Sequence, residues 1–328
     1  MSIKRDQSIW PDAEYMGQLI ERLQGDDGER SAVNDALHWS EVAPGELVSA
    51  LWKYAGQAAT IGITGPPGVG KSTLVPNLVQ RIREKSDTVA VLAVDPSSMR
   101  TGGSLLADRA QIGETARDHQ YDIMLDEGVW IRSFSSGGHL GGISKAILPA
   151  ILTFDVEGRD KIIIETVGVG QSELDISSLA DTTIVVMQPG SGDSLQAIKC
   201  GIMEIPDILC INKKDMFSKE ARWKLLDDLT MSARGTPIIE TNAISGEGVD
   251  QLLDAIDNHR EELGEEGLQK RRQRSLVAQL GQISVAFSTA DIRIVLRSDE
   301  GKKLLEEVGN REKDPFQAAK ELKYLIDS

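Results

Sequence analysis

Residues 64–73 read "TGPPGVGKST", and they decide the fold. Gly65, Gly70, Lys71 and Ser72 satisfy the pattern G-x-x-x-x-G-K-[ST]. The β-branched run "ATIGIT" precedes them, and "STLVPNLVQRIREK", with helical apolar spacing, follows. A strand, a glycine turn and a helix in that order are the context a phosphate-binding loop requires. Backbone N–H groups across Gly65, Gly68, Val69 and Gly70 can turn inward on phosphate oxygens, and the helix N-terminus adds its positive end. Lys71 supplies a charge to the outer phosphates, Ser72 a hydroxyl for Mg²⁺, and Thr73 a hydroxyl for the α-phosphate.

Further strand candidates extend outward from this loop: "TVAVLAVD", "VWIRSF", "KIIIETV", "TTIVVMQ", "DILCINK" and "TPIIETNA". Near-continuous apolar runs of this kind suit strands of a parallel sheet covered on both faces. The helical pattern "VDQLLDAIDNHREEL" and that of residues 72–85 supply crossovers. The predicted fold is an α/β P-loop domain with a mostly parallel, doubly wound sheet. Residues 1–56 are expected to form a helical N-terminal extension, 57–265 the P-loop domain, and 266–328 a C-terminal helical arm.

The base is specified further along. "DILCINKKDM" is a buried strand pattern ending in Asn212, Lys213, Lys214 and Asp215, an N-K-x-D arrangement. The Asp215 carboxylate can accept from N1–H and the 2-amino group of guanine, donors that adenine lacks. A polar site of this sort rejects a ligand without matching donors by about 10⁴ to 10⁵. The stem of Lys213 can lie over the base plane and Asn212 can tie this loop to the P-loop. "TNAISGEGV" then offers a backbone N–H near Ala243 to the guanine O6. The expected ligand pair is GTP and GDP.

The run "KIIIETVGVGQSE" delivers Glu165 at a strand end, with Gly168 three residues on to turn its N–H toward the γ-phosphate. Val169 follows Gly168, and Gln171 stands two positions beyond, displaced from the place of a water-orienting glutamine. Slow intrinsic hydrolysis is expected, accelerated by a partner; completing such a site is worth about 10³ to 10⁵ in rate. In "AVDPSSMRTGGSLLADRAQ", Asp95 ends the second strand and Asp108 lies past a flexible "TGG". With Glu165 they are candidates for the metal and water shell, although Asp95 would also cap a turn before Pro96 and Asp108 would also pair with Arg109. Two glycine-rich segments, "SFSSGGHLGGIS" and "PGSGDSLQAIKCGIMEIPD", lie at strand ends and permit movement; His139 in the first has no catalytic part.

Composition limits what else the chain does. Its 328 residues are 40% hydrophobic and carry a formal charge of −15, which repels phosphate backbones and anionic lipid. Binding to nucleic acid or membrane is therefore not expected; the basic run "QKRRQR" directly follows the acidic "EELGEEG" and suits the solvated face of a helix. Cys200 and Cys210 form no CxxC pair and fit a reducing compartment. No signal-peptide core or membrane-length apolar run is present, so a cytoplasmic location is expected.

Together, "GPPGVGKST", "VDPSSMRTGGSLLADR", "SSGGHLGGIS", "ETVGVGQSE" and "GSGDSLQAIKCGIME" resemble the MeaB/ArgK family, GTPase chaperones of adenosylcobalamin-dependent methylmalonyl-CoA mutase. The resemblance runs from about residue 56 to 265. It implies that Lys71 and Ser72 bind phosphate and Mg²⁺, and that Asp95, Asp108 and Glu165 serve the metal region. It further implies a switch segment in which Asp193, Gln196 and Lys199 contact partner or nucleotide according to state. A homodimer formed by the C-terminal arm, an acyl-CoA mutase as client and a cobalamin adenosyltransferase as second partner are likewise implied. Ala107 stands where the family usually has glycine, and "AQIGE" replaces a basic stretch, both on loops of the client-facing kind. Two other functions fit a P-loop chain: a protein kinase acting on a periplasmic amino-acid transport-binding protein, and a nickel-insertion GTPase. The first wants a base for an acceptor hydroxyl; the second wants a histidine-rich or cysteine–histidine cluster, and this chain has four scattered histidines.

Overall fold

The computed structural model describes residues 11–25, 30–95, 123, 125–135, 146–166, 176–189, 206–213, 215–232, 235–309, 313 and 315–327. The chain divides into two compact units, Met1–Gln269 and Lys270–Ser328. In the first, seven strands form one parallel sheet: β1 (Ala59–Thr64), β2 (Val89–Asp95), β3 (Val129–Ser135), β4 (Lys161–Thr166), β5 (Thr182–Met187), β6 (Ile208–Ile211) and β7 (Ile238–Glu240). Their spatial order is β3-β2-β4-β1-β5-β6-β7, and each neighbouring pair is parallel. All seven expected strands are present.

Alternation along the strands assigns their side chains to two faces. Ile61, Ile63, Val89, Val91, Ile163, Ile184 and Val186 pack with Leu74, Leu78 and Ile82 of α4 (Lys71–Glu84) and with Leu252, Leu253 and Ile256. The latter three belong to the long helix α7 (Val249–Val295), which is interrupted at Gly264, φ 56°. On the opposite face, Ala90, Leu92, Val94, Ile162 and Ile164 meet α5 (Ile147–Glu157). Farther along that face Val185, Met187, Leu209 and Ile211 meet Leu225 and Leu229 of α6 (Lys219–Ser232). Burial on both faces is why these strands read as unbroken apolar runs.

Helix α5 is apolar almost all round, and Ile147, Ala150, Ile151, Leu152, Phe154 and Val156 are all buried. A helix of that kind needs a cover on its outer side. The cover comes from α1 (Ala13–Leu23), α2 (Arg30–Val42) and α3 (Pro44–Leu51), whose Leu19, Leu23, Leu37, Leu47 and Leu51 join the same core. Asp12 caps α1 through the Tyr15 N–H at 2.8 Å, and Pro44 opens α3 where no N–H is needed. The Asp155 carboxylate then accepts from the Gln57 and Ala58 N–H groups, both at 2.9 Å, fixing the entry into β1. In the second unit α7 continues to Val295 and is followed by α8 (Asp299–Gly309) and α9 (Pro315–Asp327). Among the described residues no helix is long and apolar enough to cross a membrane.

Gly62 sits in the middle of β1, where the sheet meets the segment that leads into β5. A Cβ there would lie 2.9 Å from Ile176 Cγ1 and 3.0 Å from Ala180 Cβ. Ile176 is fully buried, so it has little room to yield. Gly62→Ala is expected to destabilise the first unit by about 1–3 kcal/mol through overpacking. The measurement is the urea midpoint of unfolding; an unchanged midpoint would show that the core accommodates the methyl group.

Candidate functional site

Three loops and one strand end converge at the carboxyl edge of the sheet. In open parallel sheets ligands bind there, where the chain's crossovers diverge. From β1 the chain crosses to β2 and β3 on one side of the sheet; from β5 it proceeds to β6 and β7 on the other. Glu165 is registered beside Ile63 of β1 and Ala93 of β2, so it stands one residue from the end of β4, next to the loop that follows β1.

That loop depends on glycine at two positions. Gly65 has φ 145°, and a Cβ on it would lie 2.2 Å from the Val186 carbonyl oxygen of β5. Gly70 is the left-handed N-cap of α4 at φ 96°, and a Cβ on it would meet Asn212 Nδ2 at 2.5 Å. No other residue type fits either place without displacing backbone or a buried carboxamide. Lys71, the first helical residue, is buried, and its ammonium donates to the carbonyl oxygens of Gly65 at 2.6 Å and Pro66 at 3.0 Å. The Ser72 hydroxyl donates to Glu165 Oε1 at 3.0 Å, and Glu165 is itself 5% exposed. Behind this pair the buried Thr166 hydroxyl donates to that of Thr64 at 3.0 Å, linking the ends of β4 and β1.

The loops after β6 and β7 are tied to the loop after β1 by one buried carboxamide. Asn212 Nδ2 donates to the Val69 carbonyl at 2.9 Å. Its Oδ1 accepts from the Ala243 N–H at 3.0 Å and from the Thr241 hydroxyl at 3.1 Å. Each such bond contributes about 0.5–1.5 kcal/mol net, and a severed one leaves a buried polar group without its partner. Lys213 follows in the left-handed region at φ 58°, a conformation costing about 1–3 kcal/mol for a non-glycine residue. Its ammonium reaches across to the Gly68 carbonyl, and the Lys213 carbonyl accepts from the Met216 N–H at 3.0 Å. Backbone strain of this size persists where the surroundings over-determine it, and functional loops are where it concentrates. Asp215, two residues on, is exposed. In the third loop Asn242 Oδ1 accepts from the Ile244 N–H at 3.0 Å.

The residues named from the sequence thus fall into three groups. Lys71, Ser72 and Glu165 are brought together, as are Gly68, Val69, Asn212, Lys213 and Ala243. The Ala243 N–H, read from the sequence as near a base oxygen, is here donated to Asn212, so in this structure it secures the loop. Asp95 ends β2 at the same edge, one strand removed from β1, with only its backbone position described. Asp108, Gly168, Gln171, Asp193, Gln196, Lys199, Cys200 and His139 lie outside the described residues. Cys210 is buried in β6, and burial pushes its thiol up to about 12 against the smaller opposing effect of the Thr241 hydroxyl, so it stays protonated and unreactive. Sequence reasoning missed Thr64, Thr166, Thr241 and Asn77. Asn77 alone left a trace, standing one helical turn after Thr73 on the phosphate-loop helix.

The arrangement is a phosphate loop with a hydroxyl and a carboxylate at its mouth, joined by hydrogen bonds to two further loops. The family described as "Methylmalonyl Co-A mutase-associated GTPase MeaB" matches residues 33–291. The chain is 36% identical over 313 residues to "Putative GTPase PYRAB02490" of Pyrococcus abyssi, covering 92% of this chain and 94% of that protein. It is 38% identical over 207 residues to "GTPase ArgK" of Escherichia coli, covering 61% of this chain and 60% of that protein. A solved structure titled "Crystal structure of LAO/AO transport system kinase" shares the fold with a TM-score of 0.69 at 24% identity, over 97% of this chain and 99% of that one. A family match across most of both the sheet and its helices, with the phosphate loop between β1 and α4 inside it, makes this chain a member of the MeaB family of P-loop GTPases.

Proposed function

We propose that the protein is a GTP-hydrolysing chaperone that gates cofactor loading into, and protects, an adenosylcobalamin-dependent acyl-CoA mutase. The family's description supports the client, and the Ser72–Glu165 contact supports the hydrolytic site. In this reading the N–H groups of residues 65–73 and the Lys71 ammonium hold the phosphates. In the same reading the ammonium exchanges the Gly65 and Pro66 carbonyls, to which it donates in this structure, for phosphate oxygens. Gly168 contributes an N–H toward the γ-phosphate, and Asp95 and Asp108 join Glu165 in serving the metal and its water shell.

The Ser72 hydroxyl and Glu165 carboxylate are hard oxygen donors, and such a pair suits Mg²⁺, which keeps several waters and shares the substrate's phosphates. When bound, that ion neutralises charge developing on the phosphate oxygens. Asp215 reads the guanine edge, while the Lys213 stem covers the base plane. The segment with Asp193, Gln196 and Lys199 meets the client and transmits nucleotide state to it; the C-terminal arm pairs two copies, and a cobalamin adenosyltransferase is a second partner. The cytoplasm is the compartment this reading assigns.

Two measurements test these assignments. Asp215→Asn replaces an acceptor for two guanine donors by an amide, so GTP affinity should fall and xanthine nucleotides, with a 2-oxo group, should gain. Equal GTP affinity of variant and parent in a direct titration would remove Asp215 from base recognition. For the client, steady-state phosphate release should rise at least about tenfold when purified mutase is added, a barrier change of about 1.4 kcal/mol. Lys199→Ala should lose most of that stimulation. A turnover indifferent to the mutase would leave the chaperone reading without its partner.

A further inference from the structure

We infer that Asn77 is a positioning residue for guanine recognition, acting through the Ala243 peptide rather than on the nucleotide. The inference rests on the guanine reading above. Asn77 lies on α4, is 7% exposed, and its Nδ2 makes two donations: to the Thr73 carbonyl at 3.0 Å and to the Ala243 carbonyl at 2.8 Å. The second of these spans 166 residues of sequence. The Ala243 peptide is therefore gripped by two carboxamides. Asn77 donates to its carbonyl, and Asn212 accepts from its N–H.

The grip closes a ring. From Val69 in the phosphate loop the links run to Asn212, to Ala243, to Asn77, to Thr73, and back along α4 to the same loop. Every link except the covalent one is a buried or part-buried hydrogen bond of 2.8–3.0 Å. Gly246, where the loop after Ala243 turns back at φ 75°, comes close enough that a Cβ on it would touch Asn77 Oδ1 at 3.5 Å. With the ring closed, the loop that faces the base keeps a fixed distance from the loop that faces the phosphates. Opening it at Asn77 frees the 241–246 loop while leaving α4 and the phosphate loop intact, so base selectivity should suffer more than phosphate binding.

The test compares GDP and ADP by calorimetric titration in the full chain with Mg²⁺ present. Asn77→Ala removes both donations; Asn77→Asp keeps the volume but sets a carboxylate against two carbonyl oxygens. In either variant the ratio of ADP to GDP dissociation constants should fall at least about tenfold, as expected for two lost hydrogen bonds. ADP affinity itself should change little, since its phosphates are held as before. Amide exchange of residues 241–246 should speed up in both variants without nucleotide. A residue that merely stabilised the fold would weaken both nucleotides alike and leave the ratio at its parental value; that result, or unchanged exchange in the loop, overturns the proposal. A parental ratio near one would instead remove the guanine reading, and this inference with it.

Discussion

One buried carboxamide holds the carboxyl edge of the sheet together. Asn212 leaves β6 at the point where the strand ends, and its side chain ties to Val69, Ala243 and Thr241. A carboxamide suits the place because it carries a donor and an acceptor on one rigid plane, so it can bond to a carbonyl on one side and an N–H on the other. A carboxylate would lack the donor and an aliphatic side chain would lack both. The strained turn at Lys213 and the close approach to Gly70 are both consequences of bringing that plane against the phosphate loop.

The phosphate half of the site needs no such reach, and this explains what could be read from the sequence. Gly65, Gly70, Lys71 and Ser72 lie within eight consecutive residues, so their pattern and the loop they build are the same string of residues. The seven strands were equally legible, because burial on two faces leaves unbroken runs such as "KIIIET" and "TTIVVM". Thr64, Thr166 and Thr241 were not legible, and Asn77 showed only its place one turn after Thr73, since the partners that give them meaning stand tens of residues or more away. A lone asparagine in a helix looks the same whether its amide meets water or a distant carbonyl.

The N-terminal helices show a similar limit. Their amphipathic pattern marks them as helices, and the string "ILPAILTFDV" marks α5 as apolar on every side. The sequence does not state that the one covers the other. Only the shared core, with Leu23, Leu37, Leu51 and Phe154 in it, shows that α1, α2 and α3 complete a layer on the sheet. Their removal would expose the outer side of α5, a penalty of about 25 cal/mol for each Å² of apolar surface uncovered.

The strand order also dictates when the site can exist during synthesis. β1 and its loop are translated early, yet both neighbours of β1 are β4 and β5, which end at residues 166 and 187. Ribosomes add about 5–20 residues per second, so the loop leaves the exit tunnel on the order of ten seconds before either flank is available. In that interval Gly65 has no Val186 carbonyl to pack against, and β1 presents two bare edges. The nascent chain must therefore remain unaggregated until β5 emerges, and Asn212 and the loop at Ala243, which tie to the phosphate loop, follow later still.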